Sequence, residues 1–393
     1  MAAAEGTPLY VYSAAALRAR YRAIDEAFGA YPHAIHYALK ANSTLAIAAL
    51  LRELGSAADA NSIWEIEVAR KAGFAPSAIV FTGVGKTHAE LECAVALGVK
   101  AINVESAGEL ARVEAVAAAN GRVARVAIRV NPDIDARSHP HISTGLKVNK
   151  FGVPLDEAAG LFASLPSRPS LTLVAVHVHI GSQITTLDPL RRAAATAART
   201  AADVKARGLP LEYVDVGGGL GVSYDETPVP SFADYVAALV AEVRPTGLPI
   251  VVEPGRAIAA PAGALVARVV DIKPRTATSE FVVIDAGMTE LLRPAMYGAF
   301  HRIEPVRRSR GRDRHYDIVG PVCESSDVVG RDRVLPELHV GDLVAIRDAG
   351  AYGSAMASNY NRRPLPPEVL VDAGAWHVIR RRQTVDDMLS MES

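Results

Sequence analysis

The chain has 393 residues, half of them apolar and 22% charged, enough for one large domain and a smaller companion. Its net charge of −1 argues against a general attraction to nucleic acid or anionic membrane. With only two cysteines, Cys93 and Cys323, a disulfide framework is not expected, and no apolar run approaches the ~18 residues a bilayer span needs.

The N-terminal MAAAEGTPLY lacks the charged start and long apolar core of a secretory signal, which reads as a soluble cytoplasmic protein. PLYVYS is expected to lend a strand to a domain completed much later in the chain. From residue 34 onward, short apolar runs alternate with Ala-rich amphipathic segments. Eight strand candidates follow in order: AIHYALK (34–40), AADANS (57–62), AIVFTG (78–83), AINVES (101–106), RVAIRVNP (125–132), LVAVHVHIG (173–181), YVDVGGG (213–219) and IVVEPGR (250–256). Helices lie between them. STLAIAALLREL offers Ser43 as an N-cap, and EIEVARKAG is closed by Gly73 just past its end. Eight β–α units predict a closed parallel (β/α)8 barrel of the TIM type over residues 27–262. An open doubly wound sheet competes, but it would carry fewer strands and a clearer switch-point motif. Beyond 262, GALVARVVDI, EFVVIDAGM, YDIVGPV, DLVAIRDAG and EVLVDAGAWHVI are strand-like and turn-separated. Residues 263–393, with 1–26, are read as an antiparallel β domain of sandwich or Greek-key type. The Arg-rich run 307–314 and Arg380–Arg382 read as solvated edge charges.

Function in such a barrel collects at the C-terminal ends of the strands. Those ends carry Lys40, Asp59, Glu105, Asn131, His179, Gly217–Gly219, and Glu253 with Arg256. Among eight lysines and thirty-four arginines, Lys40 alone ends a candidate barrel strand. A lysine there can lose its proton and attack an aldehyde; a snorkelling lysine is the plainer alternative. GGGLG (217–221) fails the dinucleotide spacing, since residue 222 is Val and residue 224 is Tyr. Its glycines still let backbone N–H groups close on a phosphate, or simply make a tight turn. HVH (177–179) places two histidines on one strand face: a metal pair, a ring facing a flat ligand, or satisfied core histidines. Cys93, in LECAVAL, reads as helix packing. Cys323, followed by Glu324, can relay a proton, although a structural cysteine is the default.

Together these residues point to one cofactor. A lysine holds an aldehyde as a Schiff base, backbone amides cradle a phosphate, a histidine faces a ring, and Glu253 pairs with a ring nitrogen. That is pyridoxal 5′-phosphate (PLP), an electron sink.

YALKAN, ISTGLKVNKFG, HVHIGSQI, GGGLG, EPGR, LLRPAMYGAFHRI, GPVCESSD, DAGAYGSAMASNYN and RPLPPEVLV resemble the diaminopimelate decarboxylase family, from about residue 8 to 372. The resemblance implies a PLP-binding barrel with a C-terminal β domain, a homodimer, and release of CO2 from meso-diaminopimelate to give L-lysine. It implies that Lys40 carries PLP, His179 stacks on its ring and Glu253 binds its nitrogen. Gly218, Gly219, Gly255, Arg256 and Ser182 would surround the phosphate, with Asp59 behind the lysine. Arg256, Arg293 and Tyr297 would hold the distal carboxylate, Glu324 the distal amine, and Tyr352 would touch cofactor and substrate. Cys323 would donate the proton after CO2 leaves, and with Glu324 would reach into the partner subunit's site. An ornithine, arginine or carboxylated-polyamine decarboxylase, or an enzyme for a modified diaminopimelate, is the sibling alternative; a PLP carrier and a hydrolase with a metal on His177 and His179 are more distant ones. One departure stands out: where the family has a Ser-Gly-Gly-Glu-like turn after the second strand, ANSIWEIE puts Ile63 and Trp64, which bears on contacts at the cofactor's edge.

Overall fold

The computed structural model describes residues 1–136, 139, 142–307 and 311–392. Arg308, Ser309 and Arg310, inside the Arg-rich run, lie outside the described residues. The chain forms two compact units: Arg20–Val222 with Pro228–Ala257, and Met1–Ala19 with Ser223–Thr227 and Ile258–Ser393.

In the first unit eight parallel strands close into a barrel. They are His33–Ala38, Ala57–Ala60, Ile79–Phe81, Ala101–Val104, Ala124–Asn131, Leu171–His177, Tyr213–Asp215 and Ile250–Val252. Each pairs in parallel with the next, and the eighth returns to the first through Ile250↔His33. The strands read as continuous apolar runs because both faces are covered, one by the barrel interior and one by helices. Val80, Ala101, Ala127, Val174, Ala175, Tyr213 and Val251 form one packed cluster.

Local sequence sets where the crossover helices begin. Ser62, Thr87, Ser106 and Ser231 each accept the N–H three residues on, satisfying an orphan donor of the first turn. Gly73, at φ +91°, follows the helix Ile63–Lys71 as expected for a residue past a C-cap. Helix Leu45–Glu53 differs from expectation. Thr44, not Ser43, is its N-cap residue, and its side chain makes no cap bond. The turn is instead fixed by Asn42, whose Oδ1 accepts from Thr44 N at 3.0 Å. Cys93 lies on helix His88–Leu97 but is only half-buried, so it contributes less core packing than its apolar neighbours suggest.

The second unit is an antiparallel-rich sheet. Strand Leu9–Ser13 enters it between Gly263–Pro274, antiparallel, and Glu368–Asp372, parallel. A second parallel pairing joins Ser279–Ile284 to Asp313–Val319. The buried Tyr12 donates to Glu368 Oε2 at 2.7 Å, and Arg380 pairs with the other oxygen of that carboxylate. Arg381 pairs with Asp387. No helix among the described residues is long and apolar enough to cross a membrane.

Candidate active site

The mouth of the barrel gathers the polar ends of its strands. The first strand stops at Ala38, so Lys40 is not its last residue; it sits on the single turn Leu39–Ala41 directly beyond. Its Nζ lies 3.5 Å from Asp59 Oδ2 and 3.5 Å from Asn61 Oδ1. Both distances are long for hydrogen bonds, so the amine is held near opposite charge without being locked to it. Asn61 Nδ2 also donates to Asp59 Oδ2 at 3.3 Å. Burial raises the Asp59 pKa, the nearby Glu253 raises it further, and Lys40 opposes the rise.

Glu253 follows the eighth strand and is buried. His177 Nε2 lies 3.4 Å from its Oε2. Burial works against ionisation there, but His177 and Lys40 outweigh it and hold the Glu253 carboxyl below its ordinary range. The sixth strand ends at His177, so only the first histidine of HVH lies on it. His177 is wholly buried; His179 lies beyond the strand and is half-buried. Among the described residues, the acidic and histidine side chains close enough to share a metal ion are His177, Asp215 and Glu253, without His179. His179 Nδ1 accepts from Gly218 N at 3.2 Å, which requires a neutral ring. Desolvation, with Lys40 and Arg129 nearby, keeps its pKa well below the usual imidazole value. Its carbonyl is fixed by Arg129 and Thr144, and Arg129 is in turn paired with Glu105 at 2.8 Å.

The glycines after the seventh strand are required by close approach. A Cβ on Gly217 or Gly218 would meet the carbonyls of Val178 or Glu253, and one on Gly219 would stand 2.7 Å from the Gly181 carbonyl. On the neighbouring strand end, Gly255 faces Ala38 and Ala41 of the Lys40 turn. Arg256 is buried, and its Nε and Nη2 both donate to Ser182 Oγ, at 3.2 and 3.0 Å. Lys40, Asp59, His179, Ser182, Gly218, Gly219, Glu253, Gly255 and Arg256 thus all belong to the barrel unit.

The other expected site residues lie in the second unit. Arg293 begins a short helix, Arg293–Tyr297, and is buried. Its Nη1 donates to His301 Nε2 at 2.7 Å, and its guanidinium lies 4.5 Å from the centre of the Tyr224 ring. Because a guanidinium only donates, His301 Nε2 is the acceptor; Nδ1 carries the hydrogen and donates to the Arg347 carbonyl at 2.8 Å. Tyr297 is half-buried on the same helix, and Tyr352 is half-buried in a loop at φ +56°. Cys323 and Glu324 are both exposed on the loop between Asp313–Val319 and Val328–Pro336. Asp327 pins that loop by accepting from Val322 N at 2.7 Å and Met288 N at 2.6 Å. Tyr360 donates to Glu324 Oε1 at 2.7 Å, and Asn361 Nδ2 donates to Cys323 Sγ at 3.2 Å.

The barrel residues fit a phosphorylated pyridine aldehyde. The glycine turns have no room for side chains, a primary amine stands at the rim, and Glu253 Oε1 is a buried oxygen with no partner among the described residues. Comparison with known proteins agrees. Residues 14–260 match the family model described as the pyridoxal-binding domain of pyridoxal-dependent decarboxylases. Diaminopimelate decarboxylase of Vibrio cholerae is 46% identical, over 99% of this chain and 93% of that protein; the enzyme of Pseudomonas aeruginosa is 44% identical over 99% and 93%. The crystal structure of diaminopimelate decarboxylase from Helicobacter pylori complexed with L-lysine superposes with a TM-score of 0.95 at 44% identity, covering 98% of this chain and 96% of that one. This chain belongs to the diaminopimelate decarboxylase family of pyridoxal-dependent decarboxylases.

Sequence reasoning missed several residues that support this decarboxylase site. Asn61, the second oxygen beside Lys40, was hidden in the irregular ANSIWEIE turn. His177, beside Glu253, was visible only as half of HVH. Asp215 lay in plain view as the one charge in the apolar run YVDV. His301 lies within the quoted LLRPAMYGAFHRI motif, yet only the structure shows it against Arg293.

Proposed function

We propose that this chain decarboxylates meso-2,6-diaminopimelate to L-lysine and CO2, as a cytoplasmic homodimer whose active site is shared across the interface. The observation that carries the reading is Glu253: a buried carboxylate held as an anion on the rim that also presents Lys40. An anion at that point keeps a pyridine nitrogen protonated. Bound PLP then supplies a sink for the electron pair left when a carboxylate departs as CO2.

The protein's own groups do the rest. Lys40 Nζ would hold the cofactor, with Asp59 as its counter-charge. Neutral His179, its orientation fixed by Gly218 N–H, would face the ring. Backbone N–H groups of Gly218, Gly219 and Gly255, with Ser182 and Arg256, would bind the phosphate. Arg293, with Arg256 and Tyr297, takes the distal carboxylate in a two-pronged geometry that ornithine and lysine cannot satisfy. Glu324 would accept the distal ammonium, and Tyr352 would touch cofactor and substrate. Cys323 Sγ delivers one proton to the α-carbon in place of the lost CO2. The exposure of Cys323 and Glu324 on their own chain supports their service to a neighbouring subunit's site.

The deciding assay measures CO2 release from meso-diaminopimelate beside L-lysine, L-ornithine and L-arginine. Release from meso-diaminopimelate alone is expected; turnover confined to ornithine or arginine would overturn the role given to Arg293. Sedimentation of the purified chain tests the dimer.

A further inference from the structure

Three buried carboxyl groups meet inside the barrel mouth: Asp59, Asp215 and Glu253. Lys40 Nζ lies 3.5 Å from Asp59, and His177 Nε2 lies 3.4 Å from Glu253. His177, Asp215 and Glu253 each offer a ligand atom within 4.8 Å of the other two. Asp215 Oδ1 accepts from Gly217 N at 2.9 Å, and the Gly217 carbonyl accepts from Glu253 N at 2.9 Å. Asp215 therefore sits at the junction of the glycine turn and Glu253. Two oxygens remain there without a partner among the described residues, Asp215 Oδ2 and Glu253 Oε1. If both groups were ionised, two desolvated anions would lie close together, an arrangement that carries the cost of unpaired burial and like-charge repulsion. One proton removes both costs.

We propose that Asp215 is a positioning residue for Glu253: it is held as the neutral acid, donates its Oδ2 hydrogen to Glu253 Oε1, and fixes Glu253 as an oriented anion facing the cofactor's ring nitrogen. The proposal rests on the role given to Glu253 above. The proton belongs on Asp215 because Glu253 has His177 at 3.4 Å, whereas Asp215 has only a backbone N–H. Burial and the neighbouring Glu253 push the Asp215 carboxyl well above its ordinary range, in accord with this placement. The arrangement also ties the phosphate turn to the ring-nitrogen partner, so that movement of one is felt by the other.

Asparagine separates a donor from an anion at this position. Asp215→Asn keeps the acceptor for Gly217 N–H and places an N–H where the acid proton would be; Asp215→Ala leaves Glu253 Oε1 unpaired. The measurements are PLP affinity by titration of the full chain freed of cofactor, thermal melting, and infrared detection of a protonated carboxyl band in the same cofactor-free protein. The expected result is a component of the carboxyl band in the parent protein, over and above that of Glu65, that is lost in Asp215→Asn. PLP affinity in Asp215→Asn should stay within about threefold of the parent, and in Asp215→Ala it should weaken roughly tenfold or more, as for a stranded buried acceptor. Should Asp215→Ala not fold, the band and the affinity of Asp215→Asn still decide. Equal weakening in both variants, a band unchanged in Asp215→Asn, or a stoichiometric divalent cation lost with Asp215 would each overturn the proposal. Glu253→Gln separates the two levels of argument. If it binds PLP with unaltered affinity and absorbance, the reading of Glu253 fails and this proposal with it. If it is weakened while Asp215→Ala is not, this proposal alone fails.

Discussion

Replacing Gly255 by alanine tests how tightly the barrel positions Lys40. Gly255 is not at a positive φ, so the added methyl acts by space alone. An ideal Cβ there lies 2.8 Å from Ala41 Cβ, 3.1 Å from Ala38 Cβ and 3.2 Å from Ala38 O. Ordinary contact begins at 3.4 Å, so the turn carrying Lys40 must retreat by about 0.6 Å. None of the three atoms is the tip of a flexible side chain, so the backbone itself has to move. Overpacking of this kind costs about 1–3 kcal/mol of stability. It also exceeds the ~0.5 Å within which a catalytic group must be held, so turnover should fall roughly tenfold. The assay is CO2 release from meso-diaminopimelate under saturating PLP, with thermal melting alongside. Gly160→Ala is the control, because that helical glycine has no neighbour within 4 Å of an added Cβ and should gain up to about 1 kcal/mol. Unchanged turnover and melting in Gly255→Ala would refute the argument that this contact fixes the lysine.

Further outcomes are open to measurement. Lys40→Ala should lose the visible absorbance of lysine-bound PLP along with activity; a retained band would place the attachment elsewhere. His301→Leu should remove the Nε2 acceptor that orients Arg293 Nη1 and raise KM for meso-diaminopimelate about tenfold with a smaller change in kcat, while His301→Gln, which keeps an acceptor, recovers part of it; a kcat loss alone would contradict the role. Burial lifts the Glu65 carboxyl to about 7, above its unfolded value near ~4.3, so the folded chain holds an extra proton and stability falls as pH rises between those values. Glu65→Gln still accepts from Asn61 N but has no charge to desolvate, so it should melt higher than the parent at about pH 8, with the gain vanishing below about pH 4; an equal or lower melt at the higher pH counts against it. Co-expressed Lys40→Ala and Cys323→Ala chains should together regain activity that neither has alone; no recovery would mean that each chain completes its own site.

What was legible in the sequence follows from the range of the interaction involved. The barrel strands announce themselves because burial on both faces writes an apolar run within four to eight residues, and the capping serines and threonines act three residues away. Lys40 stood out because it is rare as well as misplaced by polarity. Partnerships between strands leave no such mark. Asp215 and Glu253 are brought together by pairing of the seventh and eighth strands, and His177 reaches Glu253 from the sixth. Yet a signal for Asp215 existed. In a run buried on both faces, an acid between two valines must find a hydrogen bond or a proton, and either outcome makes it part of a polar centre. The ANSIWEIE departure shows the converse. Trp64, the most conspicuous change from the family turn, is 74% exposed on the first turn of a helix, and Ile63 opens that helix behind the Ser62 cap. What the turn presents to Lys40 is Asp59 and Asn61. The backbone N–H of Asn61 is in turn held at 2.7 Å by Glu65, the acid that directly follows Ile63 and Trp64. A helix started by a serine cap and braced by that glutamate places the polar groups against the lysine without help from the tryptophan.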